Sequence, residues 1–155
     1  MRSPRTWLPT VLAVSLLVAV AACGSSAGAS ADSGGLPTVS DAWVRPPVGA
    51  DRPAAGYMTI SNPGVDADRL IGASSPVATT VEIHETIADD SGMMGMQPVD
   101  EIVVAPGKPV TLEPGGYHLM LMGVTGMPAV GETVELTLTF ELAGDIVVEA
   151  EVRAD

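Results

Sequence analysis

The sequence predicts an all-β domain, a β-sandwich or Greek-key barrel of about seven to nine short strands. Three observations lead there. After residue 36 no segment carries a sustained apolar stripe at helical spacing. Short runs instead alternate apolar and polar residues, the pattern of a strand with one buried face. Breaks containing Pro and Gly recur between those runs.

Taken along the chain, the strand candidates are 39–44, 55–61, 69–73, 77–87, 97–104, 109–112 and 117–122, followed by a C-terminal hairpin. Arg45-Pro46-Pro47, Ser61-Asn62-Pro63-Gly64, Pro106-Gly107 and Pro114-Gly115-Gly116 separate them. The hairpin is the clearest element. Val134, Leu136, Leu138, Phe140 and Leu142 alternate with Glu135, Thr137, Thr139 and Glu141. Ala143-Gly144-Asp145 turns the chain, and Ile146, Val148, Ala150 and Val152 return on the same face. Only Trp43, Tyr57, Tyr117 and Phe140 are aromatic after the leader, so aliphatic residues and Met must fill the core. Met58 and Met127 are expected to be packing residues of this kind.

The domain begins after an export segment. Arg2 and Arg5 precede an apolar run from Trp7 to Ala22. That run is short for a membrane span of about 20 residues and has the flanks of a signal peptide. It ends in Val20-Ala21-Ala22-Cys23, which resembles a bacterial lipoprotein box. The resemblance implies cleavage before Cys23 and attachment of lipid to its sulfur. The expected division is a leader over 1–22, lipidated Cys23 with a Ser/Ala/Gly-rich linker over 23–36, and the β-domain over 37–155. The chain would then be extracytoplasmic, anchored by lipid to the outer face of the bacterial cell membrane. Cys23 is the only cysteine, so no internal disulfide staples the domain.

Loss of Arg2 and Arg5 leaves five basic residues against nineteen acidic ones, a net charge of about −14. Such a surface excludes nucleic acid as a partner. It also excludes electrostatic adhesion to anionic lipid.

Chemistry concentrates in His84, Met96, His118 and Met120. His84 and His118 are the only histidines. Within Tyr117–Met122, period-2 alternation puts His118, Met120 and Met122 on one side and Tyr117, Leu119 and Leu121 on the other. His84 shares the polar face of its strand with Thr80, Glu82 and Thr86. A turn-like loop, Ala88 to Gly92, leads into Met93-Met94-Gly95-Met96. If that loop lies next to Tyr117–Met122, two imidazoles and two thioethers converge. Neutral nitrogen with neutral sulfur suits a soft, low-charge ion, and Cu(I) is the obvious one. Zn²⁺ would want thiolate or carboxylate donors, and Ca²⁺ or Mg²⁺ would want oxygens. Met94 is an alternative to Met96, and Glu82 or Glu85 would be the oxygen donors if Cu(II) also bound.

At these residues the chain resembles the PCuAC family of bacterial extracytoplasmic copper chaperones. That family's signature is His, ten residues, Met, twenty-one residues, His-x-Met. Here Met96 and His118 are separated by twenty-one residues and Met120 follows as required, whereas His84 and Met96 are separated by eleven. Ala42-Trp43-Val44-Arg45, Tyr57-Met58-Thr59-Ile60-Ser61-Asn62 and Pro114-Gly115-Gly116-Tyr117-His118-Leu119-Met120 add to the similarity, which spans about residues 37 to 145. The resemblance implies a cupredoxin-like barrel and a Cu(I) site of His84, Met96, His118 and Met120. It also implies delivery of copper to an acceptor, typically the binuclear copper site of cytochrome c oxidase.

The expectation is therefore a membrane-anchored copper-delivery protein and not an enzyme. A blue-copper electron carrier needs a cysteine thiolate, which the domain lacks. No Ser-His-acid or paired-carboxylate motif supports a hydrolase. The competing expectation is a metal-free β-sandwich lipoprotein that binds a protein partner through its methionines.

Overall fold

The computed structural model describes residues 35–49, 52–89 and 91–154. The expected leader over 1–22, Cys23 and the linker as far as residue 34 lie outside the described residues. Ten strands follow in order: β1 Thr38–Arg45, β2 Ala54–Ser61, β3 Asp68–Ser74, β4 Thr80–Ala88, β5 Met94–Pro98, β6 Ile102–Val104, β7 Val110–Leu112, β8 Tyr117–Met122, β9 Thr133–Phe140 and β10 Gly144–Val152. The fold is all-β, as the alternation requires.

The strands form a ring in the order β4-β8-β7-β2-β1-β10-β9-β3, and pairing of β3 with β4 closes it. Neighbours such as β4 and β8, or β3 and β9, are distant in sequence, which is the crossed connectivity of a Greek-key type of barrel. β5 and β6 extend it at β4 and β3. Closure removes most free edges, so a small β-domain avoids open-edge pairing without a disulfide. The interior holds Val44, Met58, Ile60, Leu70, Ile83, Leu112, Leu119, Leu121, Leu136, Leu138 and Phe140, all buried. Met58 packs there, and Met127 packs against it partly buried.

Three expectations change. The expected 97–104 strand is two strands, because Val99 to Glu101 break the pairing between β5 and β6. β5 also starts three residues earlier than expected, so Met94 and Met96 stand on a strand and not in a loop. The alternation alone could not show this, because Gly95 and the flanking methionines carry no polar–apolar contrast. Leu142, grouped with the buried face by alternation, is exposed because β9 ends at Phe140 and residues 141–143 form the turn. Buried Asp68 secures that turn, its carboxylate accepting the backbone N–H groups of Arg69, Leu142 and Ala143 at 2.7, 2.9 and 3.0 Å.

One irregularity reorients β1. Between Ser40 and Trp43, β1 advances one residue more than its antiparallel partner β2. Asp41 within this bulge has φ 51°, a left-handed conformation uncommon outside glycine. The extra residue swaps the faces of β1. Val39 pairs with Ile60 on the inner side, yet beyond the bulge it is Val44 that is buried, while Trp43 pairs with Tyr57 on the outer side. Trp43 is thereby carried towards the surface where the histidines lie.

The bulge makes a stability prediction. Asp41→Val puts a β-branched side chain at positive φ and should cost about 1–2 kcal/mol. Asp41→Gly should equal or exceed the parent in stability. Denaturant midpoints compare the three, and a Val variant as stable as the parent would contradict this account of β1.

Candidate metal centre

The site is built on the outer face of β5-β4-β8. In an antiparallel ladder, residues directly opposite one another project to the same side. The β4–β8 register pairs Glu82 with Met120, Ile83 with Leu119, and His84 with His118. Ile83, Leu119 and Leu121 are buried core residues. Their neighbours Glu82, His84, His118 and Met120 therefore project outwards. On the other side of β4, Thr86 pairs with Met96 and His84 with Pro98. The four candidate donors thus occupy three successive rows of one three-stranded surface.

That arrangement differs in one respect from the expected approach of the Met-rich segment to Tyr117–Met122. β4 lies between β5 and β8. Met96 meets the β8 residues across Thr86, a short side chain. A cavity of about 220 Å³ is bounded by Arg45, Tyr57, Thr86, Met96, His118 and Met120, with Pro114 and Gly115 at its wall. His84 is not among its lining residues. Its ring lies beside that of His118, with centroids 5.8 Å apart. Met94 does not line the cavity either. It pairs with Ala88, one outward position further along the hairpin. Both methionines are well exposed, Met96 at 59% and Met94 at 63%.

The β4–β5 hairpin that carries Met96 is closed by Asp89. Its carboxylate accepts the backbone N–H groups of Ser91 and Met93 and the Ser91 hydroxyl. These bonds, the Ser91 hydroxyl foremost, hold the Asp89 carboxyl below the usual range. Gly92 supplies a φ of 80°.

The histidines are on the outer face yet nearly buried, His84 at 8% and His118 at 5% exposure. A transverse row explains part of this cover. The His118 ring is 6.4 Å from that of Tyr57, and Tyr57 is 4.4 Å from Trp43. Arg45 lies over the Tyr57 ring and Arg153 over Trp43, at 5.7 and 6.0 Å. Burial raises the Tyr57 hydroxyl pKa, with Arg45 acting in the opposite direction.

Each imidazole has one nitrogen occupied, both times by the residue two positions before it. His118 Nδ1 lies 3.1 Å from the Gly116 carbonyl oxygen, which can only accept, so the proton sits on Nδ1 and Nε2 keeps its lone pair. Gly116 is set by the turn before β8. Pro114 and Gly115, with φ 88°, occupy the central positions of a type II pattern, and Gly116 N–H donates to Glu113. The Gly116 carbonyl also accepts the Thr86 N–H at 3.1 Å. His84 Nε2 lies 2.8 Å from Glu82 Oε2. His84 Nδ1 is buried with no hydrogen-bond partner. An orphaned buried nitrogen is costly, and a bound cation would satisfy it.

These contacts fit a soft cation. Burial lowers the His118 pKa below the ordinary 6.5, although the Gly116 carbonyl opposes the shift. The neighbouring His84 ring and the Arg45 guanidinium also disfavour a positive charge on it. A neutral imidazole is the metal-binding form. Among the described residues no group of three His, Cys, Asp or Glu side chains is placed to hold a metal, so a hard-donor cage is absent there.

The sequence reading missed the Gly116 carbonyl, Tyr57 and Arg45 as parts of this surface. The i−2 position on a strand is a same-face neighbour, and by that parity the sequence already sets Glu82 beside His84. Nothing local pointed to Arg45 or Tyr57, which arrive from β1 and β2.

Burial of a neutral His118 has a pH consequence. Below about pH 6.5 the unfolded chain protonates this imidazole while the folded chain resists. The unfolded state then binds more protons, so this group's contribution to stability is present above pH 6.5 and falls as pH drops towards the lowered folded pKa. The metal-free protein should lose stability across that window more steeply than its His118→Asn variant. Parallel slopes in pH-dependent thermal unfolding would contradict the neutral assignment.

Comparison with known proteins bears on the family and the fold. The "LpqE-like: Putative lipoprotein LpqE-like" family matches residues 37–152. A relative from Leifsonia xyli subsp. xyli (strain CTCB07), named "Putative lipoprotein Lxx21020", is 28% identical over 129 residues, covering 81% of this chain and 76% of its own. The copper-bound PCuAC domain from PmoF2 superimposes with a TM-score of 0.67 at 34% identity, covering 78% of this chain and 95% of that domain. The Cu(I) form of DR1885 from Deinococcus radiodurans gives 0.60 at 31% identity, covering 85% and 86%. On the family match and these two structural relatives, the chain belongs to the LpqE-like family of PCuAC-type, cupredoxin-like domains.

Proposed function

We propose that this protein is an extracytoplasmic copper chaperone that binds Cu(I) through His84, Met96, His118 and Met120. The observation that carries the reading is the buried, unpartnered His84 Nδ1 beside a His118 whose Nε2 lone pair is free, with Met96 and Met120 at the adjoining cavity. Two imidazole lone pairs and two thioethers form a neutral set suited to a monovalent soft ion. Relatives described as a copper-bound PCuAC domain and as Cu(I)-DR1885 support the same cargo. Met96 is the better assignment than Met94, because it shares the cavity with His118 and Met120.

Delivery follows from exposure. Met96 is largely accessible, so an acceptor's donor can enter as this thioether leaves. The neutral ligands bring no charge of their own to be separated from the departing cation. The proposed acceptor is a membrane-associated copper protein, with the binuclear copper site of cytochrome c oxidase as the specific candidate. Lipid on Cys23 and the linker over 23–36 would hold the carrier beside such an acceptor and raise its effective concentration. No catalytic step is needed for this role.

Anaerobic Cu(I) titration against a competing chelator tests the reading. The protein should take one tight equivalent, and His118→Ala combined with Met120→Ala should abolish it. Met96→Leu should weaken binding roughly tenfold or more, while Met94→Leu should leave it near the parent value. Equal weak binding by the parent and the double variant would overturn the copper reading and favour a metal-free partner-binding domain.

A further inference from the structure

We infer that Glu82 is a positioning residue of the metal centre, selecting which nitrogen His84 offers. The inference rests on the copper reading above and extends it. Glu82 Oε2 lies 2.8 Å from His84 Nε2. A carboxylate only accepts, so Nε2 carries the proton and the lone pair is confined to Nδ1. That Nδ1 is the buried atom without a partner. The free lone pair and the carboxylate contact are therefore two sides of one tautomer.

His118 reaches the opposite tautomer by other means. Its Nδ1–H donates to the Gly116 backbone carbonyl, leaving Nε2 free. That acceptor belongs to the backbone and is fixed by the Pro114-Gly115 turn. His84 has only a side chain for the same task. This makes Glu82 the one replaceable element that sets ring orientation and donor identity.

Position strengthens the argument. Glu82 stands directly opposite Met120 in the β4–β8 ladder, on the same outward face as both histidines. Of the outward residues of β4, β5 and β8 it is the only charged one. A neutral donor set leaves a bound Cu(I) with its full positive charge, and Glu82 places negative charge behind one ligand. A carboxylate that accepts from a ligating imidazole also makes the metal-facing nitrogen more basic. Loss of such an outer partner typically weakens metal binding 10–100-fold, roughly.

The test compares the parent, Glu82→Ala and Glu82→Gln in two measurements. In the metal-free proteins, ¹⁵N shifts of the His84 ring report the tautomer. The parent should show the Nε2–H form, Glu82→Ala a mixed population, and Glu82→Gln an intermediate one, since its amide oxygen still accepts. Anaerobic chelator competition should then rank Cu(I) affinity parent, Glu82→Gln, Glu82→Ala, with the last about 10–100-fold weaker. A purely structural role would move the melting temperature but not the ring shifts. If Glu82→Ala binds copper as tightly as the parent, or more tightly, Glu82 does not position His84 and instead is idle or competes for Nε2. If the parent takes up no tight equivalent, the copper reading falls and this inference with it. Loss of copper in the His118/Met120 double variant with none in Glu82→Ala would overturn the Glu82 role alone.

Discussion

The β4–β8 register is the constraint on which the centre depends. His84 faces His118 and Glu82 faces Met120 because Ile83 and Leu119 pair inside the barrel. Side chains alternate with a period of two, so a one-residue slip would drive His118 and Met120 inwards and expose Leu119 and Leu121. Each buried leucine contributes about 1.5–3 kcal/mol. The packing of the core thus holds the candidate donors in place without any bond between them. Gly56 sharpens this fit. It pairs with Leu119, and a Cβ there would approach the Leu119 Cβ to 3.3 Å, so β2 can lie close against the strand that carries both His118 and Met120.

The rest of the surface refines what the register places. The Pro114-Gly115 turn aims the Gly116 carbonyl at His118, and the bulge at Asp41 sends Trp43 outwards to stack on Tyr57. Tyr57, Arg45, Pro114 and Gly115 wall the cavity side of His118, and burial is the main cause that disfavours its charged form. The two kinds of candidate donor differ in exposure. The two imidazoles are nearly buried, whereas the Met96 thioether remains well exposed.

Much of this was legible in the chain. The alternation in Val134–Phe140 and Ile146–Val152 gave the C-terminal hairpin. The opposition of Leu119 and Leu121 to His118 and Met120 gave the outward face of β8. The spacing from Met96 to His118 and the His-x-Met that follows gave the resemblance to the family. Other features were not legible, for stated reasons. Met94–Pro98 lacks a polar–apolar rhythm, so its strand and its place beyond β4 are set by pairing and not by pattern. The face swap in β1 depends on one left-handed residue, Asp41, which leaves no periodic trace. The Tyr57–His118 and Arg45–Tyr57 contacts join strands far apart in sequence, and only the closed ring brings them together. The unpartnered His84 Nδ1 is a property of packing that no spacing encodes.

X-ray absorption at the copper edge of the Cu(I)-loaded protein tests the central claim most directly. The account predicts a reduced copper with two nitrogen scatterers near 2.0–2.1 Å, roughly, and two sulfur scatterers near about 2.3 Å, on the pattern of other imidazole and sulfur sites. A shell of nitrogen and oxygen alone, without sulfur, would contradict it.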